Sequence, residues 1–212
     1  MVRLLRLGFF ALIVRPLLML VLGTNIRHRE RLPAKGPAII VANHNSHLDT
    51  LALMAMFPLK RLDDLRPVAA VDYFDKGGAL AWFAKHIIGI IGVRRGQGGE
   101  GNPLAPAEAA LDAGRILILF PEGTRGEPER LARFKKGVAH LAKARPDTPV
   151  TPVMLHGFGK ALPKGTILFV PFNCDVFVGE AFRTDGTVDG FMTRMESAFE
   201  TLTAEAGPAG WD

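Results

Sequence analysis

Four short apolar runs set the limits on how this chain can fold. They are AIIVA (Ala38–Ala42), ILILF at 116–120, VTPVML at 150–155 and ILFV at 167–170. Each lacks the alternation of a half-solvated strand, so each predicts a strand covered on both faces. Helical periods separate them. LALMAM (51–56) follows the first run, and Pro103 and Pro106 open a helix that Gly114 closes. Leu131, Phe134, Val138 and Leu141 repeat at three and four until Pro146. Val188, Met192, Met195, Phe199 and Leu202 do the same near the C-terminus, and both sets read as core-facing stripes. Strands alternating with helices predict an α/β fold: a single domain with a mixed, largely parallel sheet flanked by helices. A length of 212 residues, 48% apolar and 22% charged, suffices for one sizeable core and excludes a disordered chain. The loop GQGGEG (96–101) lacks the Gly-Lys-Ser/Thr ending of a phosphate-cradling loop, so it does not point to nucleotide binding.

The N-terminus, MVRLLRLGFFALIVRPLLMLVLGTNIRHRERLP, adds a different element. It is apolar from Leu4 to Leu22 but interrupted by Arg6, Arg15 and Pro16. A bilayer-spanning helix needs about 20 apolar residues, and Arg15 near its middle would cost about 2.5–3.5 kcal/mol on insertion scales. A signal peptide is the other reading, but no small-residue cleavage site follows the apolar run. Residues 1–24 are therefore expected to form a membrane-associating helix, with 25–212 as the globular domain. Arg3, Arg6, Arg15, Arg27, Arg29 and Arg31 are expected to face anionic headgroups. A core-packed amphipathic helix is the alternative. The net charge of +5 favours anionic partners. The single cysteine, Cys174, supplies no disulfide framework. Membrane association at the cytoplasmic face is the expectation. Nucleic acid is not an expected partner, because the basic residues gather near the N-terminal helix and the loops described next, without a recognition motif.

The first chemical constellation is NHNSHLDT. AIIVA ends at Ala42, so His44 stands at the end of a buried strand, before a helix, where open α/β sheets bind ligands. Asp49 lies five residues on. With His44 in the turn and Asp49 in the first helical turn, the carboxylate can fix the imidazole tautomer and make His44 a general base. Asn45 or Ser46 can cap the helix. His44, His47 and Asp49 also offer three metal ligands in six residues, the set a metal-dependent hydrolase would use. Nucleophiles are scarce: the only serines are Ser46 and Ser197, and no Gly-x-Ser-x-Gly elbow exists. That inventory favours a base acting directly on a substrate hydroxyl, with no acyl-enzyme.

The second constellation is RILILFPEGTRG (115–126). A strand ends at Phe120, Gly123 allows positive φ, Arg125 offers a planar fork for phosphate and Glu122 can accept hydrogen bonds from hydroxyls. RFKKG (133–137) puts Lys135 and Lys136 at a helix start. The helix dipole disfavours cations there, so either a bound anion or a solvated basic turn accounts for them. GIIGVRRG (89–96) places Arg94 and Arg95 at a strand end, and strand alternation sends one of the two toward the site.

NHNSHLD resembles the NHxSxxD block of the glycerolipid acyltransferases, the lysophosphatidic acid acyltransferase-like family. GIIGVRR resembles that family's second block, with Arg95 its arginine; FPEGTR resembles the third; VTPVML resembles the fourth, with Pro152 its proline. All four occur in order over about residues 40 to 155. The resemblance implies that 25–212 is an acyltransferase domain moving a fatty acyl group from acyl-CoA or acyl carrier protein to a lysophosphatidate-type hydroxyl in phospholipid synthesis. It implies His44 as base, Asp49 as its partner, and Arg95, Glu122, Gly123, Thr124 and Arg125 as acceptor-binding residues. Phe120 and Pro121 would shape that loop, and Pro152 would lie near the acyl chain. The implied partners are membrane lipids, the acyl donor and the lyso-lipid acceptor, with no cofactor or metal. The same blocks fit other acceptors: a lysophospholipid, glycerol 3-phosphate or an amino-acid-derived lyso-lipid. Asn45, His47 and Gly92 depart from the usual residues, which bears on acceptor and chain-length preference. A lipid-binding protein without catalysis is a third class.

Overall fold

The computed structural model describes residues 1–71, 77–94, 101–127, 130–162, 170 and 172–207. The described strands are β1 (Asn25–Arg27), β2 (Ala38–Ala42), β3 (Leu65–Ala70), β4 (Ile91–Val93), β5 (Ile116–Leu119), β6 (Val150–His156) and β7 (Asp175–Val178). They form one sheet in the order β1-β7-β6-β2-β5-β3-β4, parallel throughout except for the β6–β7 pair. The mixed, largely parallel α/β sheet is the architecture that the apolar runs predict. β3 (LRPVAA) is not among those runs because Arg66 and Pro67 break its apolar character. The run at 167–170 lies outside the described residues except for Val170, which stands exposed and outside any strand.

Two helical layers cover the sheet. α1 (Val2–Val21), α2 (Leu48–Ala55) and α3 (Gly78–Phe83) pack on one face with Ala38, Ile40, Ile116 and Ile118. α4 (Ala105–Asp112), α5 (Gly137–Ala144) and α7 (Val188–Ala206) cover the other with Ile39, Val41 and Leu117. The alternation of strand side chains thus divides one apolar run between two cores. A short α6 (Phe158–Ala161) follows β6. The helix expected from Leu131 onward begins only at Gly137. Leu131 and Phe134 lie in the segment before it, although Phe134 is buried and its ring meets Phe199 at 4.9 Å.

α1 is long and apolar enough to cross a membrane, yet one of its sides is part of the core. Phe10, Val14, Leu18 and Leu22 are buried at a spacing of four. Such a stripe drifts around an α-helix of about 3.6 residues per turn. Here Phe10–Val14 and Leu17–Val21 are wider π-helical turns, which cancel the drift where Pro16 already removes an N–H from the ladder. Leu4, Leu12, Ile13, Met19 and Leu20 are exposed on the outward side, beside Leu80 and Trp82 of α3. Arg6 corrects the expectation that all six arginines face headgroups. Arg6 is buried and donates to Asp63 Oδ1 at 3.2 Å and Ile88 O at 3.0 Å. Arg15 donates to Phe57 O at 2.6 Å. Arg6 turns into the protein and Arg15 bonds back to it while staying half-buried, so the outward side is left almost free of charge.

Candidate functional site

β2 and β5 are neighbours, with Val41 opposite Leu119, but the chain leaves them on opposite faces. After β2 it enters α2 on the α1 side; after β5 it enters α5 on the α7 side. The two loops diverge and open a crevice at the carboxyl ends of the strands, the position at which open α/β sheets bind ligands. One loop carries NHNSH, the other FPEGTRG.

Asn43 secures the first loop. Its Nδ2 donates to Leu155 O at 2.8 Å and its Oδ1 accepts from Leu155 N–H at 2.7 Å, so a buried side-chain amide continues the β2–β6 ladder past the end of β2. Asp49, fully buried in the first turn of α2, then gathers the loop around one oxygen. Its Oδ2 accepts from the N–H groups of Asn45 at 2.7 Å and Ser46 at 2.8 Å, and lies 2.9 Å from His44 Nδ1. A carboxylate in this position holds Nδ1 as the donor and leaves Nε2 as the basic nitrogen. The imidazole stacks on Phe120, ring centroids 4.1 Å apart, and its side chain is one-fifth exposed. Ser46 is occupied structurally: its hydroxyl donates to Leu162 O and accepts from Leu48 N–H, capping the start of α2.

Glu122 ties the second loop to the first. Its Oε1 accepts from His44 N–H at 2.8 Å and its Oε2 from Ala132 N–H at 3.1 Å, while Gly126 N–H donates to His44 O at 2.8 Å. Both backbone groups of His44 are therefore held by the FPEGTRG loop. Burial pushes the Glu122 carboxyl above its ordinary range, against the two amide donations that favour the charged form. Glu122 thus braces the His44 backbone, a role that sequence reading did not assign to it. That link could not be read without knowing that β2 and β5 are adjacent.

Gly123 adopts φ of +74°, and Lys135 folds over it so closely that a β-carbon there would meet Nζ at 2.6 Å. Thr124 is exposed at the loop tip, and Arg125 is half-buried with its charge felt at His47. Burial, then the charges of Arg125 and His44, hold the His47 imidazole below its ordinary pKa. Lys136, at the start of α5, pairs with Asp189 at 2.8 Å and so belongs to the surface rather than to this site. Arg94 is exposed at the end of β4, and Arg95 lies outside the described residues. Pro152 stands within the sheet rather than in either loop. It is buried in β6 opposite Val41, on the face covered by α7, and its carbonyl accepts from Gly179 N–H at 2.8 Å. Among the described residues, no three His, Cys, Asp or Glu side chains converge on a common metal position. His44, Asp49, Glu122, Gly123, Thr124 and Arg125 are brought together: a buried carboxylate–imidazole pair beside a cationic loop at a crevice mouth.

Comparison with known proteins bears on this arrangement. A family model described as Acyltransferase matches residues 23–156. A 1-acyl-sn-glycerol-3-phosphate acyltransferase of Limnanthes douglasii is 31% identical over 193 residues, covering 87% of this chain and 64% of the relative. The 1-acyl-sn-glycerol-3-phosphate acyltransferase alpha of Mus musculus is 29% identical over 166 residues, covering 76% of this chain and 55% of the relative. The crystal structure of the 1-acyl-sn-glycerophosphate (LPA) acyltransferase PlsC from Thermotoga maritima shares the fold, with a TM-score of 0.75 at 20% identity over 97% of this chain and 82% of that one. The chain spans between 40% and 64% of the length of the first curated relatives it matches.

Proposed function

Because the chain belongs to the acyltransferase family that includes the 1-acyl-sn-glycerol-3-phosphate acyltransferases, we propose that it moves a fatty acyl group from a thioester to the free hydroxyl of a lysophosphatidate-type acceptor. The observation that carries the chemistry is the 2.9 Å contact between His44 Nδ1 and the buried Asp49 Oδ2. His44 Nε2 takes the acceptor's hydroxyl proton as the oxygen attacks the thioester carbonyl. Asp49 stabilises the imidazolium that forms, and the same proton passes to the departing thiolate as the tetrahedral intermediate collapses. No acyl-enzyme is needed, in keeping with the capped Ser46. Lys135, folded over Gly123, and Arg125, whose charge is felt at His47, supply cations for the acceptor phosphate. The outward side of α1 brings the crevice to the lipid surface that holds both substrates.

The test is thiol release from acyl-CoA by purified protein in phospholipid vesicles, across lysophosphatidate, a lysophospholipid, glycerol 3-phosphate and an amino-acid-derived lyso-lipid. The expected result is release that depends on lysophosphatidate, survives chelator and disappears in His44→Ala. Release with another acceptor alone keeps the chemistry and changes the acceptor. Release only from acyl carrier protein assigns the donor. Activity lost to chelator and restored by a divalent metal would replace this reading with metal-dependent hydrolysis.

A further inference from the structure

A cavity of about 390 Å³ lies between the C-terminal half of α1, β1 and the C-terminal end of α2, lined by none of the residues of the His44 crevice. Two guanidinium groups enter its lining: Arg15 from α1 and Arg29 from the turn after β1. Each donates to a carbonyl at the C-terminal end of α2, Arg15 to Phe57 O at 2.6 Å and Arg29 to Met56 O at 2.7 Å. Capping α2 in this way accounts for one of the five N–H donors on each guanidinium. It does not account for the charge. Among the described residues no Asp or Glu lines the cavity, Arg29 is exposed and Arg15 half-buried, and the charge of Arg29 repels that of Arg15. Thr24 adds a buried hydroxyl oxygen with no hydrogen-bond partner. The remaining walls are mostly apolar, and one of them, Met19, is 69% exposed on the outward side of α1 beside Leu20.

Two forked cations with no counter-ion and a hydroxyl with no partner among the described residues, apolar walls and an opening onto an exposed apolar helix together describe an anionic amphiphile. We propose that this cavity is a second lipid site, separate from the reaction centre, that holds the phosphate headgroup of an anionic bilayer phospholipid. Arg15 and Arg29 bind the phosphate oxygens as paired forks, Thr24 Oγ1 donates the hydroxyl bond, and the wall near Met19 receives the adjoining start of an acyl chain. Free phosphate would satisfy the cations equally well; the apolar walls and the outward-facing Met19 favour the lipid.

The test is flotation of the full chain with phosphatidylcholine vesicles, with and without phosphatidylglycerol, a readout that does not depend on catalysis. Arg15→Gln/Arg29→Gln is expected to weaken binding to the anionic vesicles by roughly 30-fold, from about 1 kcal/mol per basic residue at such a surface. Arg15→Lys/Arg29→Lys keeps the charge and a cap donor at each position, and is expected to lose several-fold because the forks are gone. Thr24→Val leaves both capping guanidiniums, and with them the fold, in place and is expected to lose affinity for the anionic vesicles alone. Wild-type binding by the lysine and valine variants would overturn the site in favour of diffuse charge. Displacement from vesicles by inorganic phosphate at constant ionic strength would overturn the lipid assignment. So would unchanged flotation of these variants with a raised KM for lysophosphatidate in phospholipid-free micelles, which would give the cavity to the acceptor.

Discussion

His44 and Asp49 meet at a backbone that a third residue, Glu122, holds in place. Asp49→Asn keeps the shape of the side chain but cannot both accept from the loop amides and hold Nδ1–H with a full charge. Thiol release is expected to fall by about 10²–10⁴-fold with the circular dichroism spectrum unchanged. Glu122 makes a different prediction. Its carboxyl is raised by burial, so between the ordinary glutamate pKa of 4.5 and the higher native one the folded state holds more proton than the unfolded chain. Its contribution to stability is therefore present at low pH and declines as pH rises through that window. Glu122→Gln does not titrate, so wild type is expected to lose ground against it in urea unfolding as pH is raised from 4.5 toward neutrality. The same variant presents a donor to either His44 N–H or Ala132 N–H, so it is expected to be less active at every pH in that range. The His44–Asp49 pair was legible in the sequence because a spacing of five across a strand–helix turn suffices to bring the groups together. The brace at Glu122 was not, because it depends on two strands distant in sequence lying side by side.

At the level of elements, AIIVA and ILIL announced themselves because strands buried on both faces leave no room for polar residues. β1, with the sequence NIR, and β3, with Arg66 and Pro67, are strands by virtue of their neighbours β7 and β5, and nothing local marks them. Pro152 was placed by its block rather than by its surroundings, and the alternation of β6 turns it to the α7 side. The join between β2 and β6 rests on one side chain beyond the strand end. Asn43→Ala leaves the N–H and C=O of Leu155 without those partners in a buried position, at a cost of about 1–3 kcal/mol for each group so exposed to the loss. A lowered urea midpoint with an unchanged m-value is the expected result, together with a fall in kcat as the His44 loop loosens.

For the molecule as a whole, the two sides of α1 predict opposite phenotypes. Phe10→Ala, on the inner side, is expected to cost about 3–5 kcal/mol of stability. Leu12→Ser and Leu20→Ser, on the outer side, are expected to leave the thermal midpoint in place. Each should weaken flotation with vesicles by an amount corresponding to about 1.5–3 kcal/mol of lost apolar burial. The sequence showed that the segment is apolar; that its arginines turn inward could be seen only once Asp63, Phe57 and Ile88 were placed around them. The inward bonds of Arg6 and Arg15 have a consequence for motion. A helix joined to its domain by a linker alone would leave the domain free to tumble above the bilayer. One welded along its length fixes the tilt, so that in-plane translation and rotation about the membrane normal are the rigid-body freedoms left. On the acyltransferase reading proposed above, the search for an acceptor would be a two-dimensional one at constant height, with the distance a lipid must rise to meet His44 set by the fold rather than by chance encounter.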